Sequence, residues 1–161
     1  FVKKLDKRLV YGGFLIICSV LSAFYYFIPP DNLVLIYLLN FILIFFFGTV
    51  SVLQWVMYTD TADYGEWKFG RRATGLIMAA SLFTLKLGLT LGGAIIGWIL
   101  AAYNFVPNQA QTAESTTGIL LLVSIIPAVF GIVGGALMIF YPLTNKKLLE
   151  IEQELSARRK K

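Results

Sequence analysis

The chain has 161 residues, 58% of them hydrophobic, and it carries a formal net charge of +5. Its mean hydropathy of +0.75 indicates a protein of the lipid bilayer, because the apolar runs are too long for the core of one soluble domain. It contains no histidine and a single cysteine, which excludes a disulfide framework, a Cys/His zinc site and a Cys–His catalytic pair. We expect that cysteine, Cys18, to be a small buried apolar residue.

Four apolar runs are long enough to cross a hydrocarbon core of about 30 Å, which takes roughly 20 helical residues. They cover residues 10–28, 33–58, 73–103 and 118–141. The short break at residues 29–32, with its two prolines, predicts that the first two runs form an antiparallel hairpin. The sequence therefore predicts an all-α membrane protein in which residues 1–161 form a single membrane domain with four transmembrane helices.

The basic residues indicate how the helices are oriented. All fourteen Lys and Arg residues except Lys86 lie before the first run, in segment 59–72, or after the fourth run. By the positive-inside rule, both ends of the chain and segment 59–72 are cytoplasmic. We expect an integral, multi-pass protein of the cell (inner) membrane, with the lipid bilayer as a partner. The basic isoelectric point then reflects membrane topology, and we expect no nucleic-acid partner.

One helical stripe of the second run is polar, with Asn40, Ser51, Gln54 and Tyr58 at helical spacing and Trp55 beside them. Amide and hydroxyl groups can exchange hydrogen bonds with the hydroxyl groups of a sugar, and an indole ring can stack on a sugar ring. The competing interpretation is hydrogen bonding between helices, which contributes only about 0.6 kcal/mol per bond on average. Taken one at a time, these residues favour hydrogen bonding between helices, and Gln54, Ser51 and Trp55 are at the same time candidates for lining a sugar cavity.

Segment 59–72 is dense in charges of both signs, and we expect it to be a cytoplasmic loop. Its candidate gate residues are Asp60, Asp63, Glu66, Arg71 and Arg72. Opposite charges at a membrane face can pair and hold one conformation of a protein closed. The alternative is simple interfacial anchoring, with Tyr64 and Trp67 in the aromatic belt. The residues alone leave both interpretations open.

Lys86 is the one Lys or Arg inside an apolar run. A lysine at the bilayer centre costs about 2.5–3.5 kcal/mol on insertion scales. Lys86 lies at least about thirteen residues, or roughly 20 Å, from either end of its run, which is too far for snorkelling. No acidic residue lies inside the four runs. Lys86 is therefore predicted to face a water-filled cavity, with its counter-charge on a substrate or on a carboxylate of a missing segment.

Small and polar residues surround Lys86 on a helix. Within about 40° of one another lie Gly75, Ala79, Lys86, Thr90, Gly93 and Gly97, and Ser81, Gly88 and Gly92 form a second seam. Such seams permit close contact between helices, so we expect partner helices on two sides of this span, and Thr90 is a further candidate for the cavity lining. In the fourth run, Pro127 and the nearby glycines predict a kink beside a close packing surface.

The chain ends in a charged tail, residues 146–161. Leu148, Ile151 and Leu155 share one helical face there, which predicts a short amphipathic helix at the cytoplasmic surface. A disordered tail is the alternative.

The run Asp60-Thr-Ala-Asp-Tyr-Gly-Glu-Trp-Lys-Phe-Gly-Arg-Arg72, followed fourteen residues later by Lys86, resembles the glycoside–pentoside–hexuronide:cation symporters. The resemblance implies a carboxyl-terminal fragment, the last four helices of a twelve-helix major facilitator transporter working by alternating access. It places Lys86 near the sugar and cation sites, where it would couple the two. It also implies a sodium ion or proton bound mainly by the missing amino-terminal half, with no other cofactor, and those amino-terminal helices as partners.

Two residues depart from the family's sugar-contact pattern, Leu82 one turn before Lys86 and Ser51 in the second run. The substrate is therefore left open among pentosides, oligosaccharides and hexuronides. The alternative function is a stand-alone four-helix membrane scaffold or a subunit of a small oligomeric exporter, with Lys86 paired across a subunit interface. We do not expect an enzyme, because the spans supply neither a nucleophile–base pair nor metal ligands.

Overall fold

The computed structural model describes residues 6–29 and 31–159. In that part of the chain, four helical stretches are long and apolar enough to cross a membrane, which confirms the predicted fold class. The helices are α1 (Lys7–Phe24, continued by the 3₁₀ turn Tyr25–Phe27), α2 (Leu33–Phe69), α3 (Thr74–Ala102), α4 (Ala113–Val123), α5 (Ile125–Leu137, continued by the 3₁₀ turn Met138–Phe140) and α6 (Asn145–Arg159). The fourth span is thus made of α4 and α5 together.

Helix α2 continues through most of the segment that we expected to be a loop, so that prediction is wrong for residues 59–69. The segment contains no proline, and Gly65 lies in open space, where one glycine costs a helix only about 1 kcal/mol. The helix ends at Gly70, whose φ of 68° is left-handed and whose N–H donates to the Glu66 carbonyl oxygen at 2.9 Å. Only residues 70–73 connect α2 to α3.

Helices α1 and α2 form the predicted antiparallel hairpin. Lys7 at the start of α1 contacts Asp60 far along α2, whereas Phe14, two turns later in α1, packs edge-on against Phe46 with ring centroids 5.3 Å apart. The side chain of Asn32 caps α2 by accepting a hydrogen bond from the Leu35 N–H at 3.2 Å. The apolar faces of the hairpin therefore meet in the membrane, while charged residues meet at one end.

Helix α1 also packs closely against α5, through small residues, as the fourth run predicted. A Cβ atom placed at Gly135 would stand 2.6 Å from Cγ1 of Ile16 and 3.1 Å from the carbonyl oxygen of Gly12. Ser19 occupies the space beside Gly131 in the same way. Cys18 lies in this region of α1 and is buried, as predicted.

The predicted kink in the fourth span lies at Ser124, between α4 and α5, where the backbone angles (φ −112°, ψ −77°) depart from ideal helical values. Pro127 has no N–H to donate to the carbonyl oxygen of Val123 four residues earlier. The hydroxyl group of Ser22 on α1 lies 3.0 Å from that oxygen and 3.3 Å from the oxygen of Ser124, and donates to them. The kink is thus stabilised by a side chain of another helix.

Helix α3 contacts α2 and α4 but buries none of its residues in the described part of the chain. Cβ atoms added at Gly88, Gly92, Gly93 or Gly97 would meet nothing within 4 Å. The described residues therefore do not supply the partner helices expected on its two sides, and that enclosure stays a prediction.

Helix α6 confirms the amphipathic helix predicted for the tail, of which residues 160–161 lie outside the described part. Its apolar face does not stand free: Ile151 and Leu155 are only 1% and 5% exposed. With Leu143 they form a core against Tyr64 and Trp67 of α2. The tail thus docks on the protein's own long helix.

Candidate transport site and cytoplasmic gate

Lys86 lies near the middle of α3, about 18 Å along the helix from its start at Thr74. It is exposed, and among the described residues no carboxylate pairs with its ammonium group. Thr90, one turn later, donates its hydroxyl group to the carbonyl oxygen of Lys86 at 2.9 Å. The described part of the chain therefore presents the positive charge without a counter-charge.

The candidate cavity residues of α2 do not join Lys86 in one site. Gln54 donates from Nε2 to the hydroxyl oxygen of Tyr58 at 2.7 Å. Both line a small cavity of about 230 Å³ together with Tyr11 of α1 and Tyr141 after α5. Gln54 therefore faces α1 and the end of the fourth span, and it makes no hydrogen bond to α3 in the described structure.

The two remaining candidates on α2 have different surroundings. Ser51 donates its hydroxyl group to the carbonyl oxygen of Phe47 at 3.1 Å, within its own helix. Trp55 is 50% exposed and packs edge-on against Tyr58, with ring centroids 5.7 Å apart. Trp55 is thus the α2 candidate with a large free surface.

The structure separates the five candidate gate residues into three groups. Arg72 lies 3.2 Å from an oxygen of Asp63 and 3.9 Å from one of Glu66, and these three residues form what we call the gate cluster. Asp60 instead pairs with Lys7 of α1, with 2.7 Å between Nζ and Oδ2. Arg71 is exposed and has no ion pair in the described part of the chain. The three acidic residues, Asp60, Asp63 and Glu66, follow one another at intervals of three, which places them on one side of α2.

The starts of α1 and α6 are joined beside Asp60, a connection that sequence reasoning missed. Asp6 accepts a hydrogen bond from the backbone N–H of Asn145 at 2.9 Å, and the N–H of Lys7 donates to Oδ1 of Asn145 at 3.3 Å. Arg8 donates to the carbonyl oxygen of Tyr141 at 3.3 Å. Asp60 therefore belongs to an internal junction of α1, α2 and α6.

Helix α6 is fixed to α2 mainly at Trp67, whose role sequence reasoning also missed. The indole Nε1 donates to Oε2 of Glu154 at 2.7 Å, and Arg158 donates to the carbonyl oxygen of Trp67 at 3.2 Å. The ammonium group of Lys147 lies 4.6 Å from the centre of the Trp67 ring, within reach of a cation–π contact. The i,i+4 spacing of Glu154 and Arg158 was the available signal, but sequence does not show which tryptophan they contact.

A cleft of about 880 Å³ lies between α6 and the charged end of α2. Asp60, Asp63 and Arg72 line one side of it, and Leu148 and Glu152 are among the residues of α6 that line the other. The gate cluster is therefore open to water on the face next to the tail helix.

Comparison with known proteins identifies the family. A family model described as MFS/sugar transport protein matches residues 1–145. The chain is 35% identical over 140 residues to the "Inner membrane symporter YicJ" of Escherichia coli (strain K12), covering 86% of this chain and 30% of that protein. It is 36% identical over 113 residues to the "Glucuronide carrier protein homolog" of the same strain, covering 70% and 25% respectively. It is 35% identical over 154 residues to the "Uncharacterized symporter YnaJ" of Bacillus subtilis (strain 168), covering 96% and 33%.

The chain thus spans about a third or less of the length of these three relatives. No solved structure matches it significantly. The family match extends from the first residue to the start of α6 and includes Lys86 and the gate cluster. The chain, an integral membrane protein with four apolar membrane-crossing helices, belongs to the MFS/sugar transport protein family.

Proposed function

We propose that this chain is the carboxyl-terminal part of a cation-coupled symporter that carries a sugar, glycoside or hexuronide by alternating access. Membership of a sugar transport family supports transport, and two of the relatives described above are named as symporters. A third is named as a glucuronide carrier homolog, which makes an anionic sugar a reasonable substrate class. The coupling ion is sodium or a proton.

One observation carries the proposal: Lys86 stands at mid-span on a helix that buries none of its residues in the described part of the chain. A positive charge facing acyl chains at that depth is unfavourable by several kcal/mol. A cavity shared with helices outside this chain removes that cost. The charge then disfavours an empty cavity and favours one that contains an anionic group, whether a substrate carboxylate or an ion-binding carboxylate of the amino-terminal half.

The gate cluster has a separate role in the proposal. Asp63, Glu66 and Arg72 pair across the short turn between α2 and α3, and we assign them to stabilising the inward-closed state. Arg71 is exposed and is left to pair with a carboxylate outside this chain. Asp60 acts within the junction of α1, α2 and α6, so its contribution to a gate is indirect.

Both ends of the chain and the 70–73 turn are cytoplasmic in this proposal, and the protein lies in the inner membrane. The distribution of Lys and Arg supports this orientation, since neither of the opposite connections, residues 29–32 and 104–117, contains a basic residue.

The test is Lys86→Val in the full-length protein, assayed for sugar accumulation against a gradient in membrane vesicles. We expect uphill accumulation driven by a sodium or proton gradient to fall at least about tenfold, the size of an allosteric coupling of about 1.4 kcal/mol. Leu91→Ala is the matched control, since Leu91 is exposed on another side of α3. A panel of neutral and anionic sugars, at varied sodium and pH, identifies the substrate and the ion.

Unchanged uphill accumulation by Lys86→Val would remove the coupling role of this residue. Net transport only in the outward direction, under either ion gradient, would contradict symport of the substrate into the cell.

A further inference from the structure

We infer that helix α6 positions the gate cluster through Trp67, so that the tail helix sets how stable the inward-closed state is. This inference rests on the proposed function for its link to transport. Its structural part depends on contacts between α6 and the last turns of α2 alone.

The contacts form a closed ring, which we call the Trp67 clip and define as Trp67, Glu154 and Arg158. The indole N–H donates to the Glu154 carboxylate at 2.7 Å, and that carboxylate lies 3.7 Å from Arg158. Arg158 in turn donates to the carbonyl oxygen of Trp67 at 3.2 Å. A charged acceptor makes the indole hydrogen bond stronger than a neutral pair would be.

The Trp67 clip contacts the end of α2, where the backbone carbonyl groups lack hydrogen-bond donors within the helix. The last four carbonyl groups of a helix lack partners within it, and the Trp67 carbonyl is one of them at the end of α2. Arg158 supplies its hydrogen bond, and Ile151 and Leu155 are buried against the same turn. The tail therefore stabilises the helical form of the last turn, up to Phe69.

The gate cluster depends on that last turn. Arg72 reaches Asp63 and Glu66 because α2 stays helical to Phe69 and the chain then reverses at Gly70. Gly70 has a left-handed φ of 68°, and its N–H donates to the carbonyl oxygen of Glu66. If the last turn unwinds, Glu66 loses the helical position that the Gly70 N–H and Arg72 both use. Trp67 and Glu154 are thus positioning residues that act on the gate through the backbone of α2.

The first experiment measures trypsin cleavage of the full-length protein in lipid nanodiscs. Cleavage after Lys68 requires the last turn of α2 to open, whereas cleavage after Arg71 lies in the turn and serves as the reference. We expect Glu154→Ala and Trp67→Phe each to raise cleavage after Lys68 about fivefold, with no further rise in the double variant. Glu152→Ala is the matched control, because it removes the same charge from α6 at a residue that lines the cleft and has no described hydrogen bond or ion pair to Trp67 or Arg158. Rates within twofold of this control in both variants would overturn the clip.

The second experiment measures the external sugar concentration that gives half-maximal uptake. Fewer molecules in the inward-closed state should weaken the apparent affinity for external sugar in proportion, while the maximal rate is retained. We expect Glu154→Ala and Arg72→Gln each to raise this concentration about threefold, and the double variant to equal Arg72→Gln alone.

Faster cleavage with unchanged half-saturation, or effects that multiply in the double variant, would overturn the positioning role. Failure of the proposed function is distinguishable, because it appears as unchanged uphill accumulation in Lys86→Val and leaves the proteolysis result as it is.

Discussion

Ser22 shows how one hydroxyl group compensates for a proline in a neighbouring helix. Pro127 leaves the carbonyl oxygen of Val123 without its helical donor, and Ser22 of α1 supplies the missing hydrogen bond at 3.0 Å. In a bilayer no water replaces such a bond, so breaks in helices persist only where protein groups satisfy the backbone. The kink itself could be predicted from Pro127, but its partner could not, because an isolated serine in an apolar run also bonds readily to its own helix.

We predict that Ser22→Ala destabilises the fold by about 1 kcal/mol, since it leaves the Val123 carbonyl unpaired. The measurement is SDS-induced unfolding in mixed micelles, followed by circular dichroism. Ser81→Ala is the matched control because Ser81 donates only to the Ile77 carbonyl of its own helix, at 2.8 Å. Equal effects of the two substitutions would show that the hydrogen bond from Ser22 to Val123 and Ser124 contributes nothing specific.

At the scale of the element, the ends of α2 and α6 show where sequence was informative. Apolar length predicted the four spans, because about 20 apolar residues suffice to cross the core. The dense charges after residue 58 led us to expect that α2 ends there. Charged residues do not break a helix, and α2 instead ends at Gly70, which adopts a left-handed conformation. The glycine was visible in the sequence. For α6, the apolar face predicted a helix but not what the helix packs against, since the same face can be buried in a bilayer or against the last turns of α2.

The packing of α1 against α5 predicts different effects of alanine at a glycine inside the helix contact and at a glycine outside it. Gly135→Ala should destabilise the fold by about 1–3 kcal/mol, because the new methyl group would collide with Ile16 and with the Gly12 carbonyl. Gly13→Ala is the control: a Cβ there meets nothing within 4 Å, so the substitution should be neutral or stabilise α1 by up to about 1 kcal/mol. Both are measured by the same SDS unfolding. Equal and small effects would mean that the two helices separate at little cost.

At the scale of the whole molecule, the described residues form one packed part and one open part. Helices α1, α2, α5 and α6 are joined by glycine contacts, by the Lys7–Asp60 ion pair and by the Trp67 clip. Helix α3, which holds Lys86, buries none of its residues against the rest of the described chain. The sequence predicted that this helix needs partners, because it combines a charge with two small-residue seams. It could not predict which residues complete the site, because this chain spans only about a third of the two symporter relatives described above.

We propose that Lys86 faces a water-filled cavity at mid-membrane, and the accessibility of that position to water tests the proposal. Lys86→Cys, made in an otherwise cysteine-free full-length protein, is exposed to a membrane-impermeant thiol reagent in vesicles. We predict labelling from water, slowed by saturating transported sugar, whereas a cysteine in place of exposed Leu91, about 140° around α3 from Lys86, stays unlabelled. Modification of position 86 only by a lipid-soluble reagent, unaffected by any sugar, would contradict a water-filled cavity at Lys86.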